Sequence, residues 1–100
     1  MPTMTGSGPT YRGSPVDAVI DVRSKLEFWL GHLDGAACIP VDVIATELPK
    51  RADIAKHAKI LVYCASGGRS AAAAAQLASI GYTSVIDGGG VAQAATKYTP

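Results

Sequence analysis

The sequence predicts an α/β domain in which a largely parallel β-sheet is covered by helices on both faces. Short apolar runs rich in Val and Ile alternate along the chain with segments that carry helical patterns. The chain has 100 residues, the size of one domain. Its composition, 48% hydrophobic and 17% charged, is typical of a globular protein rather than a disordered one.

The first strand and the first helix are predicted early in the chain. Residues 16–22 form an apolar run that indicates a buried strand. Ser24 and Glu27 form a capping-box pattern, so a short helix is expected from there to about residue 30. Trp29 lies on this helix and is expected to pack against the protein. Residues 31–35, with a glycine at each end, stop the helix.

The middle of the chain contains a second strand and a broken helix. Residues 36–39 are expected to form a short strand that ends at Pro40. Residues 41–48 have a helical pattern, which the proline at position 49 interrupts. A further helical turn is predicted over residues 52–57.

The second half of the chain repeats the alternation. Residues 60–63 form a continuous apolar run and predict a buried strand, and the alanine-rich residues 70–80 predict a helix that the next glycine ends. Residues 84–86 indicate another short strand. The three glycines 88–90 are expected to form a turn before a last helix over residues 91–98.

The N-terminal residues differ in composition from the rest of the chain. Residues 1–12 are rich in Pro, Gly, Ser and Thr and are predicted to be a flexible tail, which leaves residues 13–100 as the domain. No segment has the apolar stretch of a signal peptide, nor the ~18–20 residues of a membrane span. The sequence therefore predicts a cytoplasmic protein that does not associate with membranes.

Charge and cysteine content exclude several classes of function. The formal net charge is +1, and the nine basic residues are scattered, so a nucleic-acid surface is not expected. Two cysteines exclude a framework of disulfides and a zinc site of four cysteines. His32 and His57 lack the spacing of metal ligands. Neither a metal nor an organic cofactor is expected.

One cysteine lies where a strand meets a helix, and this is the strongest chemical signal in the sequence. Cys64 follows the apolar run at residues 60–63, and a glycine-containing loop leads from it into the helix at residue 70. Such a loop points backbone N–H groups and the positive end of a helix dipole at the sulfur. The arrangement favours a thiolate, a persulfide or a bound oxyanion.

Three segments carry a resemblance to a known family. They are I-D-V-R at residues 20–23, G-H-L-D-G-A-A-C-I-P at residues 31–40 and V-Y-C-A-S-G-G-R-S at residues 62–70. In this order and spacing the chain resembles the rhodanese-like domains. The resemblance implies the three-layer fold of that family, with a central parallel sheet of about five strands.

The resemblance also implies an activity, that of a single-domain thiosulfate sulfurtransferase. Cys64 would take a sulfane sulfur from thiosulfate or another donor, hold it as a persulfide and pass it to cyanide or a thiol. The cysteine is expected on a short exposed loop, open to a thiol partner such as thioredoxin or glutathione. A helix N-terminus and a neighbouring cation would lower the pKa of the thiol.

The loop after the cysteine is expected to bind the persulfide and the donor. Its residues are Ala65, Ser66, Gly67, Gly68, Arg69 and Ser70. Ser66 would donate a hydrogen bond to the persulfide, and Ser70 would cap the helix or donate to the site. Arg69 either binds the thiosulfate anion or ties the loop down as a structural cation. Binding of the anion is favoured, because a guanidinium binds an oxyanion with two hydrogen bonds.

Four further residues are interpreted as support for the site or as core. Asp21 and Arg23 match the D-x-R element of the family, and a buried or semi-buried ion pair is favoured for them over direct catalysis. For His32, a turn held through hydrogen bonds is favoured over the role of a general base. Cys38 has two interpretations: a resolving or disulfide partner for Cys64, or a small core residue, which is favoured.

Two other functions are weighed against sulfur transfer. Phosphatases and arsenate reductases of related folds carry C-x5-R, whereas four residues separate Cys64 from Arg69 here, and the shorter loop favours a single outer sulfur atom over a tetrahedral anion. A non-catalytic or redox interaction module is the other alternative. Modules of this kind usually lack the loop cysteine, which is present here.

Overall fold

A four-stranded parallel sheet forms the centre of the computed structural model, which describes residues 8–100. In chain order the strands are β1 (Thr10–Tyr11), β2 (Ser14–Pro15), β3 (Ala18–Asp21), β4 (Ala37–Cys38), β5 (Ile60–Cys64), β6 (Val85–Gly90) and β7 (Tyr98–Thr99). The helices are α1 (Lys25–Leu30), α2 (Ile44–Glu47), α3 (Gly68–Ser79) and α4 (Val91–Ala95), with a 3-10 helix over Leu48–Lys50. None of the described helices is long and apolar enough to span a membrane.

The order of the central strands places the chemistry-bearing residues at one edge. The order is β4-β3-β5-β6, and all three pairings are parallel. Carboxyl ends of parallel strands meet at the same edge of a sheet, where ligands of α/β folds bind. Asp21, Cys38 and Cys64 are the last residues of β3, β4 and β5. The fold therefore brings them to a common edge, with β3 between the two cysteines.

Apolar clusters cover both faces of the sheet. Side chains alternate along a strand, so Val62 and Cys64 of β5 belong to one cluster and Leu61 and Tyr63 belong to the other. The first cluster is completed by α2 and α3, and the second by α4 and β1. All five residues of β5 are buried. The predicted α/β architecture, with helices on both faces of a parallel sheet, is confirmed.

The strand count and the start of the domain differ from the sequence expectation. The parallel sheet has four strands rather than about five, and a separate antiparallel sheet has the order β2-β1-β7. Residues 1–7 of the predicted tail lie outside the described residues. Thr10 pairs with Thr99, and Tyr11 is buried in the second apolar cluster. The boundary predicted at residue 13 is therefore too late.

The bounds of several helices and of one strand also differ from the prediction. The helix expected over residues 41–48 is limited to Ile44–Glu47, and residues 52–57 form turns rather than a helical turn. The last helix ends at Ala95, because Tyr98–Thr99 pairs with β1. The predicted strand at residues 84–86 extends through the three glycines to Gly90.

The first helix has the predicted cap but not the predicted packing. Glu27 N–H donates to Ser24 Oγ, and Glu27 Oε1 accepts the N–H of Ser24, so both halves of the capping box are present. No residue of α1 is buried. Trp29, expected to pack, is 77% exposed.

Candidate active site

The loop that carries Cys64 is short. Cys64 is the last residue of β5, and α3 begins at Gly68, so only residues 65–67 lie between the strand and the helix. Gly67 is the N-cap of α3 and has φ +110°, a left-handed conformation that a side chain would strain. A glycine at this position lets the chain turn directly from the strand into a helix of 12 residues.

The sulfur of Cys64 is buried within this turn. The Gly67 N–H donates to Cys64 Sγ over 3.0 Å, and the residue is fully buried rather than exposed on a loop as expected. Burial tends to raise the pKa of the thiol. Hydrogen bonds from Ser70, Gly67 and Ser66 outweigh burial, and the pKa of Cys64 lies below its ordinary value. The site therefore favours the nucleophilic thiolate.

Ser70 links this loop to β6 through a residue that the sequence analysis missed. Its hydroxyl is fully buried and donates to Asp87 Oδ1 over 2.7 Å, and the Gly67 carbonyl lies 3.0 Å away. The same Asp87 oxygen accepts the N–H of Gly89 over 2.9 Å. The one available signal in the sequence was an acidic residue between a predicted strand and three glycines.

The glycines of β6 lie in close contact with the Cys64 loop and with β5. A Cβ atom added at Gly90 would lie 2.6 Å from the Ala65 carbonyl oxygen, and one added at Gly88 would lie 3.1 Å from the Val62 carbonyl oxygen. Real Cβ atoms essentially never show a contact of 2.6 Å, and 3.1 Å is tighter than most of their contacts. The absence of side chains therefore lets the backbone of β6 lie close to the loop at Gly90 and close to β5 at Gly88. The glycines that were predicted as a turn are part of the frame of the site.

Arg69 is held by Glu27 of α1. Its Nη1 and Nη2 donate to Glu27 Oε1 and Oε2 over 2.7 and 3.0 Å, in a two-point ion pair. The hydrogen bond from Arg69, followed by those from Ser24, lowers the pKa of Glu27 to about 2. The contact ties the active-site loop to the first helix. Binding of an anion by Arg69, which was favoured from the sequence, stays a prediction.

Asp21 and Arg23 form the buried ion pair that the sequence indicated. Arg23 Nη2 lies 2.6 Å from Asp21 Oδ2, and the same nitrogen donates to the Gly31 carbonyl over 2.7 Å. The hydrogen bond to Asp21 raises the pKa of Arg23. Arg23 also lies over the ring of Tyr63, 5.7 Å from its centroid. The pair thus anchors the end of α1 to the sheet beside Cys64.

His32 contacts the last turn of α1 from the segment that follows the helix. Its Nδ1 lies 2.7 Å from the Phe28 carbonyl oxygen, and its ring stacks on that of Phe28 with centroids 3.6 Å apart. The next N–H, that of Leu33, donates to the Tyr63 hydroxyl over 3.0 Å. These contacts join the segment that follows α1 to the end of the helix and to β5.

Cys38 lies on the far side of β3 from Cys64. Asp21 is in register with Cys38 on one side and with Tyr63 on the other. Two strand spacings separate the cysteines by about 9–10 Å, whereas a disulfide requires Cα atoms within about 7 Å. Burial raises the pKa of the Cys38 thiol, and its sulfur lies 3.7 Å from the Arg23 carbonyl. A Cys38–Cys64 disulfide would require the backbone to move.

A cavity of about 470 Å³ opens beside Arg69. Its other lining residues come from the end of β3, the start of α1 and the segment before α2: Val22, Arg23, Ser24, Lys25, Pro40, Val41, Asp42 and Val43. Cys64 is not among the lining residues. Between residues 8 and 100, no group of three or more His, Cys, Asp or Glu side chains is placed to hold a metal ion.

A family model and several curated proteins match this chain. The model of the Rhodanese-like domain matches residues 11–94. The tRNA uridine(34) hydroxylase of Erwinia tasmaniensis is 36% identical over 80 residues, which are 75% of this chain and 23% of that protein. The protein of the same name from Enterobacter sp. is 38% identical over 79 residues, again 23% of its length. The chain thus spans about a quarter of these curated relatives.

Solved structures share the fold. A rhodanese with anions from E. coli has a TM-score of 0.73 and 29% identity, and the match covers 82% of this chain and 95% of that one. The human single-domain sulfurtransferase TSTD1 has a TM-score of 0.61 and 25% identity, with 68% of this chain and 70% of that chain covered. Both matches include most of the structure described above.

Proposed function

Because this chain belongs to the rhodanese-like domain family, we propose that it is a sulfurtransferase in which Cys64 carries a sulfane sulfur as a persulfide. The observation that carries the proposal is the Gly67 N–H that donates to Cys64 Sγ at the N-terminus of α3. An N–H in this position stabilises a thiolate before the reaction. The persulfide anion that follows it would be stabilised by the same loop.

The first half-reaction loads the cysteine. The Cys64 thiolate attacks the outer sulfur of a donor, and a new S–S bond forms at Sγ. With thiosulfate, the bond between the two sulfur atoms breaks, and sulfite leaves with the electron pair. Cys64 is then a persulfide, and the charges balance without an oxidant or a cofactor.

The second half-reaction unloads it. A nucleophile attacks the terminal sulfur of the persulfide, and the Cys64 thiolate leaves with the electron pair of the broken S–S bond. Cyanide would become thiocyanate, and a thiolate would become a persulfide. Since Cys64 is fully buried, the terminal sulfur is the atom that an acceptor would meet at the mouth of the loop. Thioredoxin and glutathione are the thiol partners that we propose, in the cytoplasm.

Intact mass spectrometry tests the proposal directly. The protein would be weighed before and after thiosulfate or cysteine persulfide, and again after cyanide. We expect a gain of one sulfur, about 32 Da, that cyanide removes. Cys64→Ser would not gain sulfur, whereas the matched control Cys38→Ser would. Wild-type protein that gains no sulfur from either donor, or a Cys64→Ser variant that still does, would contradict the proposal.

The curated relatives favour a second candidate. Proteins named tRNA uridine(34) hydroxylase match this chain at 36–38% identity, so the domain could serve tRNA modification in place of sulfur transfer. The chain carries nine basic and eight acidic residues and offers no excess charge for RNA. The mass experiment separates the candidates, because only sulfur transfer requires a persulfide on Cys64.

The loop does not favour a phosphatase or an arsenate reductase. Four residues separate Cys64 from Arg69, one fewer than in the C-x5-R pattern of those enzymes.

A further inference from the structure

Both arginines near the sulfur are already paired with carboxylates. Arg69 binds Glu27 through two hydrogen bonds, and Arg23 binds both carboxylate oxygens of Asp21 through three. An anionic donor that approached Cys64 would therefore meet two neutral pairs, and Lys25 is the one further cation among the described residues that line the cavity beside Arg69. The N–H groups of the loop stabilise one sulfur, but they supply no full positive charge.

This pairing matters because the candidate donors differ in charge. Thiosulfate is a dianion, and its outer sulfur reacts while the sulfonate group must be bound nearby. An alkyl persulfide, R–S–SH, has no second charged group next to the reacting sulfur. A free guanidinium beside the loop would favour thiosulfate, whereas a guanidinium neutralised by a carboxylate would not.

From this we propose that Glu27 is a specificity-determining residue, which acts by holding Arg69 and so selects an alkyl persulfide over thiosulfate as the sulfur donor. The inference rests on the proposed sulfurtransferase function. In the reaction, the Cys64 thiolate attacks the terminal sulfur of R–S–SH, the S–S bond of the donor breaks, and R–S⁻ leaves with the electron pair. The proton of the donor then passes to R–S⁻, which leaves a Cys64 persulfide anion and R–SH.

The contacts of Glu27 hold its carboxylate in place beside Arg69. Glu27 is held from two sides, because Oε1 accepts both from Arg69 and from the N–H of Ser24 at the start of α1. The carboxylate is therefore positioned by the helix cap before it meets the arginine. The pKa of Glu27, lowered to about 2, keeps it ionised at every pH at which the enzyme would work.

The test is the substitution Glu27→Gln. Glutamine keeps the capping box, because its side chain also accepts the Ser24 N–H, but it removes the charge that neutralises Arg69. We expect kcat/KM for thiosulfate to rise about tenfold, the effect of about one charge-assisted hydrogen bond. For 2-hydroxyethyl persulfide, an alkyl persulfide without a carboxylate or a sulfonate, kcat/KM would change by about twofold or less, because that donor has no further anionic group for Arg69 to bind.

Two controls assign the effect to Arg69. Glu47→Gln removes an exposed carboxylate that pairs with Lys50 over 3.1 Å, and it should leave both donors unchanged. Lys25 also lines the cavity beside Arg69, so Glu27→Gln is repeated with Arg69→Ala. The gain should vanish in that double variant. The KM for thiosulfate should also rise with salt in Glu27→Gln more than in the wild type, a response that a structural role would not produce.

The outcomes separate this inference from the function on which it rests. Wild-type sulfur transfer combined with an unchanged or lower thiosulfate kcat/KM in Glu27→Gln would overturn the role of Glu27 and leave the sulfurtransferase intact. No transfer from either donor to the wild type would overturn both. A neutral persulfidated peptide serves as a third donor. Its rate relative to that of 2-hydroxyethyl persulfide decides between a carrier protein and a small thiol as the source.

Discussion

The Ser70 hydroxyl donates to Asp87 Oδ1 over 2.7 Å, at the buried first turn of α3 and beside Cys64. A serine hydroxyl has a single proton to donate. Burial tends to raise the pKa of the Cys64 thiol, and hydrogen bonding from Ser70 is the strongest contribution that lowers it. We therefore expect the sulfur and the Asp87 carboxylate to compete for this proton.

Removal of Asp87 should make Cys64 more acidic. In Asp87→Ala the Ser70 proton is free to stabilise the thiolate, and a negative charge is lost from the site, so we expect the pKa of Cys64 to fall by about one unit. Asp87→Asn keeps an acceptor for Ser70 and should give a smaller decrease. The rate of alkylation by iodoacetamide as a function of pH measures this, in a Cys38→Ser background so that one thiol reacts. An unchanged or higher pKa in Asp87→Ala would show that the proton is not shared.

A side chain at Gly90 should damage both stability and the site. Its Cβ would lie 2.6 Å from the Ala65 carbonyl oxygen and 3.3 Å from Ser66 Cα. The loop would have to move, so we expect Gly90→Ala to cost about 1–3 kcal/mol of unfolding free energy. The Gly67 N–H would lose its alignment with the sulfur, and alkylation of Cys64 would slow. Urea unfolding and the alkylation rate check the two effects.

The matched control for Gly90→Ala is a substitution at Gly68, which is four residues after Cys64 in the chain. A Cβ added there has no neighbour within 4 Å, and the residue lies in the first turn of α3. We expect Gly68→Ala to change the unfolding free energy by about 0.5 kcal/mol or less. Equal losses in the two variants would mean that the close approach of β6 is not the cause.

Local signals in the sequence were sufficient to predict the structural elements around Cys64 and the cap of the first helix. The capping box of Ser24 and Glu27 spans three residues, and the strand, loop and helix around Cys64 lie within one continuous segment. Such features depend on residues that are close together in the chain, so the sequence alone is enough to predict them. The Asp21–Arg23 pair, two residues apart, belongs to the same class.

Contacts between distant segments were not visible in the sequence. Glu27 and Arg69 are 42 residues apart, and Ser70 and Asp87 are 17 apart, so their pairing depends on strand order and helix placement. Trp29 was expected to pack because tryptophan is usually buried in part. It is exposed because α1 has no buried face. The helix contacts the Cys64 loop through the pair of Glu27 and Arg69.

Loss of the buried arginine should be costly. In Arg23→Ala the Asp21 carboxylate would stay fully buried without its cation, and we expect a loss of about 3–5 kcal/mol in unfolding free energy. The exposed pair of Arg51 with Asp53, at 3.2 Å, offers the comparison. Arg51→Ala should cost about 1 kcal/mol or less, because exposed pairs are well solvated. Similar values for the two variants in urea unfolding would show that burial does not set the strength of the pair.

The Glu27–Arg69 pair should leave a signature in the dependence of stability on pH. The pKa of Glu27 is about 2 in the folded protein and near 4.5 when unpaired. A carboxyl whose pKa is lower in the folded state adds stability that is complete above the unfolded pKa and is lost as the pH falls through the folded one. The unfolding free energy of the wild type should therefore decrease between about pH 4.5 and pH 2, relative to that of Glu27→Gln, which has no proton to take up there.

Two variants serve as controls for this prediction. Arg69→Ala removes the main cause of the lowered pKa of Glu27 and should show a similarly reduced dependence on pH, while Glu47→Gln should follow the wild type. If Glu27→Gln and the wild type keep a constant difference from pH 5 to pH 2, the carboxylate is not stabilised by folding, and the pairing that we propose as the basis of donor selection does not persist in solution.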